Sequence, residues 1–195
     1  GTDDGLVQVS EDGGGSWRKI DTFPGIPKNT YVSCLTPCTK DADTVYASFD
    51  AHKQGDFKPY LLKSTNRGQS WTSISANLPE RDVVYCVRVD HVDPTLLFVG
   101  TEFGCHVSLD GGTRWIPLKG GLPTIAVRDI DIQRRENDLV LATVGRGFYV
   151  LDDYAVRRHL DVDAMRDVPA IIYPITPALM YERTGSGRGS QGGAW

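Results

Sequence analysis

Ser10-Glu11-Asp12-Gly13-Gly14-Gly15-Ser16-Trp17 recurs twice in this chain, as Ser64-Thr65-Asn66-Arg67-Gly68-Gln69-Ser70-Trp71 and as Ser108-Leu109-Asp110-Gly111-Gly112-Thr113-Arg114-Trp115. Recurrence at a near-constant period marks a repeat architecture. Each octet holds what a tight hairpin turn needs: a Ser and an Asp or Asn to accept local N–H bonds, a Gly free to take positive φ, and a Trp to anchor the turn by burial. The tryptophans stand 54 and then 44 residues apart. An insertion from Phe49 to Pro59 accounts for the longer interval.

More than the octet repeats. A small Gly-containing turn precedes it, Gly1-Thr2-Asp3-Asp4-Gly5 and Gly100-Thr101-Glu102-Phe103-Gly104, echoed in Thr143-Val144-Gly145-Arg146-Gly147. After the octet come Gly25-Ile26-Pro27, Asn77-Leu78-Pro79 and Gly121-Leu122-Pro123. Strands with a common frame follow: Val32-Ser33-Cys34-Leu35, Val84-Tyr85-Cys86-Val87 and Val127-Arg128-Asp129-Ile130. A second β-rich run succeeds each, at Thr44 to Ser48, Leu96 to Thr101 and Leu139 to Thr143. Each unit therefore reads as four short strands, one blade of a β-propeller.

The octet resembles the Asp-box, or BNR repeat, of sialidases, xyloglucan-degrading glycosidases and sortilin-type propellers. Its structural signature falls on Ser10, Asp12, Gly14 and Trp17, on Ser64, Asn66, Gly68 and Trp71, and on Ser108, Asp110, Gly112 and Trp115. Asn66 replaces the usual Asp, and Arg114 stands where Ser or Thr is customary. With Pro59-Tyr60-Leu61-Leu62-Lys63-Ser64 and Gly145-Arg146-Gly147-Phe148-Tyr149-Val150-Leu151-Asp152-Asp153, residues 1–175 are similar to the end of the propeller in large bacterial sortilin-like proteins labelled BNR-repeat glycosyl hydrolases. The resemblance implies a fold more than a reaction. It also implies a periplasmic or secreted parent protein, although the sequence itself assigns no compartment.

The expected fold is thus all-β, a partial propeller of about three to four blades. Residues 1–153 form the blades, 154–183 an extension with a short helix near Asp163 to Asp167 and a strand in the extended run from Pro169 to Pro174, and 184–195 a flexible Gly/Ser-rich tail. Propellers close with roughly four to eight blades, because closure removes exposed edges. A part-ring is completed either by the rest of a longer polypeptide or by another copy, and a first residue inside a blade favours the former.

Composition suits a β domain with a sizeable core: 195 residues, 40% hydrophobic, 21 Gly and 11 Pro. The formal charge of −4 offers no broad basic field for nucleic acid. Apolar runs fall far short of a membrane span. Cys34, Cys38, Cys86 and Cys105 are spaced for free thiols rather than for a disulfide, and no Cys or His spacing suggests a metal or a cofactor. His52, His91, His106 and His159 read as loop or rim residues.

In an up-and-down blade, the octets lie at one end and the loops between second and third strands at the other. The latter end is the expected ligand face, carrying Asp3, Asp4, His52, Phe103 and Arg146. A glycosidase there needs two carboxylates about 5 to 10 Å apart, with Asp50, Asp56, Glu102 and Asp129 as candidates. A sialidase needs three convergent arginines, for which Arg88, Arg128 and Arg146 are available. Capture of a peptide in a propeller channel needs apolar lining instead, and Phe49, Phe57, Tyr60 and Phe103 favour that class. A binding or assembly role ranks ahead of catalysis on carbohydrate, and less than half a ring is expected to show no lone activity on oligosaccharides.

Overall fold

The computed structural model describes residues 1–160 together with Ala170, Ile172 and Tyr173. The expected helix near Asp163 to Asp167 and the tail from Thr184 to Trp195 lie outside the described residues, as does nearly all of the extended run from Pro169 to Pro174. The fold is a partial β-propeller built from four antiparallel sheets. β1 (Val7–Val9) and β2 (Arg18–Ile20) make a two-stranded sheet. Two complete blades follow: β3 (Tyr31–Pro37), β4 (Val45–Asp50), β5 (Tyr60–Ser64) and β6 (Thr72–Ser73), then β7 (Val84–Val89), β8 (Leu97–Thr101), β9 (Gly104–Ser108) and β10 (Ile116–Pro117). The last sheet has three strands, β11 (Val127–Gln133), β12 (Asp138–Thr143) and β13 (Phe148–Leu151). Among the described residues no helix is long and apolar enough to cross a membrane.

The octets close the turns between third and fourth strands by one repeated set of hydrogen bonds. Gly14, Gly68 and Gly112 each donate their amide to the hydroxyl of the octet's first Ser, at 2.7, 2.8 and 2.8 Å. The Asp or Asn carboxyl-type oxygen accepts both that hydroxyl and the amide four residues on, from Ser16, Ser70 and Arg114. In the first copy the Ser16 hydroxyl also bonds Asp12, and these donors hold its carboxyl at about 2. All three glycines take positive φ, between 74° and 100°, so an L side chain there would be strained.

Burial of the Trp depends on the preceding sheet. Trp115 is 2% exposed, donating its indole N–H to the Ile74 carbonyl while Asn77 brackets its backbone at both ends. Trp71 packs edge-on against Phe23. Trp17 is 60% exposed, with no sheet before it among the described residues, which corrects the expectation that every octet Trp is buried. Two further corrections concern loop aromatics and histidines. Phe49 and Tyr60 are cross-strand partners inside a blade and are buried, because β4 extends two residues beyond the run read from sequence. His106 is a buried residue of β9.

The octet turns and the loops between first and second strands share one end. There Arg67 donates its backbone amide to the Asp43 carbonyl and pairs with the Asp43 carboxylate at 2.5 Å. The same end holds a buried clamp. After β13 the chain forms a 3-10 helix, Tyr154–His159, and the fully buried Tyr154 ring packs edge-on against Phe98. Its hydroxyl donates to Asp90 at 2.6 Å, and Arg158 donates two bonds to the same carboxylate at 2.8 Å each. The amides of Val92 and Asp93 complete the set. Burial alone would raise the Asp90 carboxyl, but Arg158, Tyr154 and Asp93 outweigh it and hold it at about 2.

Candidate functional site

Of the first strands of three successive sheets, β7 lies between β3 and β11 and packs against both. Each carries a register shift at the same frame position: between Val32 and Cys34, Val84 and Cys86, and Val127 and Asp129. The bulged residues are Ser33, Tyr85 and Arg128. A bulge leaves one residue out of the ladder and re-aims its side chain. Two of the re-aimed groups meet, the Arg128 guanidinium stacking 3.7 Å from the Tyr85 ring centroid, while the Ser33 hydroxyl donates to the Val84 backbone carbonyl of the next inner strand.

Tyr85 and Arg128 line a cavity of about 550 Å³ at the loop end, with His52, Phe57, Arg81, Val83, Glu102 and Phe103. Phe57 and Arg81 also line a second cavity of about 640 Å³ that runs outward to Pro24, Leu61 and Ser73. Phe103 borders a third, of about 240 Å³, holding Asp82 and His106. The three therefore share walls and form a segmented groove over the loop face, its ridges made of Phe57, Arg81 and Phe103. Arg81 stands over Phe57 at 5.7 Å, and neither Arg81 nor Arg128 has a carboxylate partner among the described residues.

The carboxylates of this face are, by contrast, engaged. Asp50 and Glu102 occupy equivalent positions just past the Phe49–Tyr60 and Thr101–Gly104 pairs of successive blades. Asp50 is buried and bonds His52 Nδ1 at 2.7 Å and the His52 amide. Glu102 accepts the Tyr85 hydroxyl. Burial raises that hydroxyl's pKa, and the bond to Glu102 raises it further. Asp129 lies elsewhere, exposed on β11 and paired with Arg88 at 2.8 Å. Asp56 accepts the Tyr60 hydroxyl at 2.6 Å, which lowers its carboxyl and, with burial, pushes the phenol up to about 12.

Of the residues expected on the ligand face, His52 and Phe103 line the central cavity. Asp3 and Asp4 are exposed in the Gly1-to-Gly5 turn, and Arg146 is exposed in the last sheet's loop; none of these three borders the groove. Arg88, Arg128 and Arg146 do not converge, since Arg88 turns to Asp129 and Arg128 to Tyr85. Tyr85, Arg81 and Asp82 were not foreseen. Asp82 is buried and accepts the Phe103 amide at 3.1 Å; burial raises its carboxyl and lowers the imidazole of His106 nearby. The repeated frame held a signal for Tyr85, because the residue after the first Val of each inner strand differs from blade to blade, as Ser33, Tyr85 and Arg128. Among the described residues no group of three or more His, Cys, Asp or Glu side chains is placed to hold a metal.

The arrangement is similar to that of solved propellers. A structure described as YCF48 bound to D1 peptide superposes with a TM-score of 0.57 at 15% identity, over 78% of this chain and 47% of that one. YCF48 from Cyanidioschyzon merolae gives 0.50 at 19% identity, over 75% and 46%. An ancestral GH74 enzyme gives 0.52 at 16% identity, over 65% and 19%. The chain thus spans about half the length of the YCF48 structures and about a fifth of the GH74 enzyme. At such identities the likeness is one of fold. No family model and no curated protein matches the chain.

Proposed function

We propose that this chain is a binding or assembly module whose loop-face groove captures an extended peptide segment of another protein. The observation that carries this reading is the pairing of two uncompensated guanidinium groups, Arg81 and Arg128, with two exposed aromatics, Phe57 and Phe103, along one groove of shared walls. Such a lining suits a segment that alternates acidic and apolar side chains, since guanidinium takes carboxylates and aromatic faces take apolar groups. The segmented cavities match the repeat of an extended chain better than a single compact ligand. That one propeller of similar fold is described as bound to a peptide agrees with it.

A second reading, part of a glycoside hydrolase, draws support from Asp50 and Glu102 at matching positions of adjacent blades. It is weakened by their occupation with His52 and Tyr85, and by the burial of Asp82, which raises that carboxyl. Peptide display on the 195-residue chain separates the two. Selected peptides should be enriched in Asp, Glu and aromatic residues, and should lose at least tenfold in affinity on Arg128→Ala and on Phe103→Ala. Selection yielding no peptide sensitive to either change, or turnover of xyloglucan oligosaccharides by the chain, would overturn the reading.

A further inference from the structure

The third compartment of the groove departs from the repeat at one residue. Two positions ahead of the octet Ser stand Leu62 on β5 and His106 on β9, paired with Ala47 and Val99 at one register. Leu62 is buried in an apolar cluster with Phe23 and Val7. His106 is 8% exposed, and its Nδ1 has no hydrogen-bond partner among the described residues. Asp82, 1% exposed, borders with it the cavity of about 240 Å³. The Asp82 carboxylate accepts the Phe103 amide and the Thr101 hydroxyl, and no Lys or Arg pairs with it among the described residues. Pro79, Pro117, Leu118 and Leu122 supply apolar wall, and Lys119 stands exposed at the edge.

We infer that this compartment is a subsite for a primary ammonium on an unbranched apolar stem, the lysine side chain of the segment that the groove captures. The source of the guest rests on that reading of the groove, whereas its chemistry rests on Asp82 and His106. A carboxylate buried without a cation is destabilising, and an ammonium brings three donors to acceptor sites that Asp82 has to spare. Burial lowers the His106 imidazole, so the ring is neutral at pH 7. With its proton on Nε2, the ring offers Nδ1 as an acceptor. An ammonium therefore serves both groups at once. A carboxylate guest would meet repulsion from Asp82, and a hydrocarbon would leave both groups unserved. The proline and leucine walls suit a methylene stem.

Butylammonium chloride, titrated at pH 7 into the nitrogen-labelled 195-residue chain, tests the chemistry. The amide signal of Phe103, which bonds Asp82 directly, should move saturably. Butanol, which matches the stem without the charge, should bind at least about tenfold more weakly. Asp82→Asn should abolish the preference for the amine. Circular dichroism checks the fold, and if that variant unfolds, His106→Leu takes its place, since Leu62 fills the equivalent position; it should weaken amine binding by about threefold to tenfold. Peptides selected by display test the source. A lysine should recur in them at one spacing from the acidic residues, and its replacement by norleucine should reduce affinity for the wild type but not for the folded variant. No saturable shift, butanol binding as well as the amine, or amine binding untouched by the substitution would overturn the subsite and leave the groove reading standing. Amine binding with no lysine among the selected peptides would overturn the assignment to a captured segment. Selection that yields no peptide would remove the groove reading and the lysine with it.

Discussion

Asp90→Asn isolates what the buried clamp contributes. The substitution keeps the side chain's size but removes the charge that receives Arg158, Tyr154 and two backbone amides. In the folded chain the Asp90 carboxyl is held at about 2, against 3.8 for an unperturbed aspartate. By proton linkage its ionisation stabilises the fold by about 2 kcal/mol at pH 7. Because the folded value is the lower one, this contribution is complete above the unfolded value and is lost as pH falls through the folded one. It therefore shrinks to about 1 kcal/mol at pH 3. Urea unfolding of wild type and Asp90→Asn, followed by far-UV circular dichroism at both pH values, reads the difference directly. The variant should be less stable by at least about 2 kcal/mol at pH 7, with the gap narrowing by about 1 kcal/mol at pH 3. A gap below about 1 kcal/mol at neutral pH, or one that does not change with pH, would refute the view that this carboxylate locks the last sheet to its neighbour.

The octet tryptophans should differ sharply in spite of their similar turns. Trp115→Ala is expected to cost about 3 to 5 kcal/mol in urea titrations, whereas Trp17→Ala at low protein concentration should stay within about 0.5 kcal/mol; equal losses would mean that the turn itself, not the sheet beneath it, sets their worth. Burial pushes the Cys86 thiol up to about 12 and raises that of Cys105 as well. Iodoacetamide at pH 8 should leave both unmodified by intact mass in the folded chain and label all four cysteines in urea; rapid labelling of Cys105 without denaturant would contradict its burial.

The blade pattern was legible because it is written locally. Ser10, Ser64 and Ser108 begin turns whose hydrogen bonds close within four residues, so periodicity alone located the hairpins and the strands around them. Burial was legible only where a sheet's neighbour was also in the chain, which is why Trp17 misled and Trp115 did not. The groove was half legible. Phe103 and His52 followed from topology, but Arg81 and Asp82 look like ordinary loop charges until the Phe103 loop folds over them. Phe49 and Tyr60 were misread because the inserted segment conceals where β4 ends. The bond between Asp90 and Arg158 joins residues 68 positions apart and leaves no local trace.

The bulges at Ser33, Tyr85 and Arg128 separate two jobs that most residues must do together. On either side of each, the ladder fixes register, while the residue between them is left out of the pairing. A hydroxyl, a phenol and a guanidinium occupy that position in three successive blades, each at the same shift of register. The inner strands thus provide one free letter per blade, and a change of ligand preference can be written there without rewriting the fold.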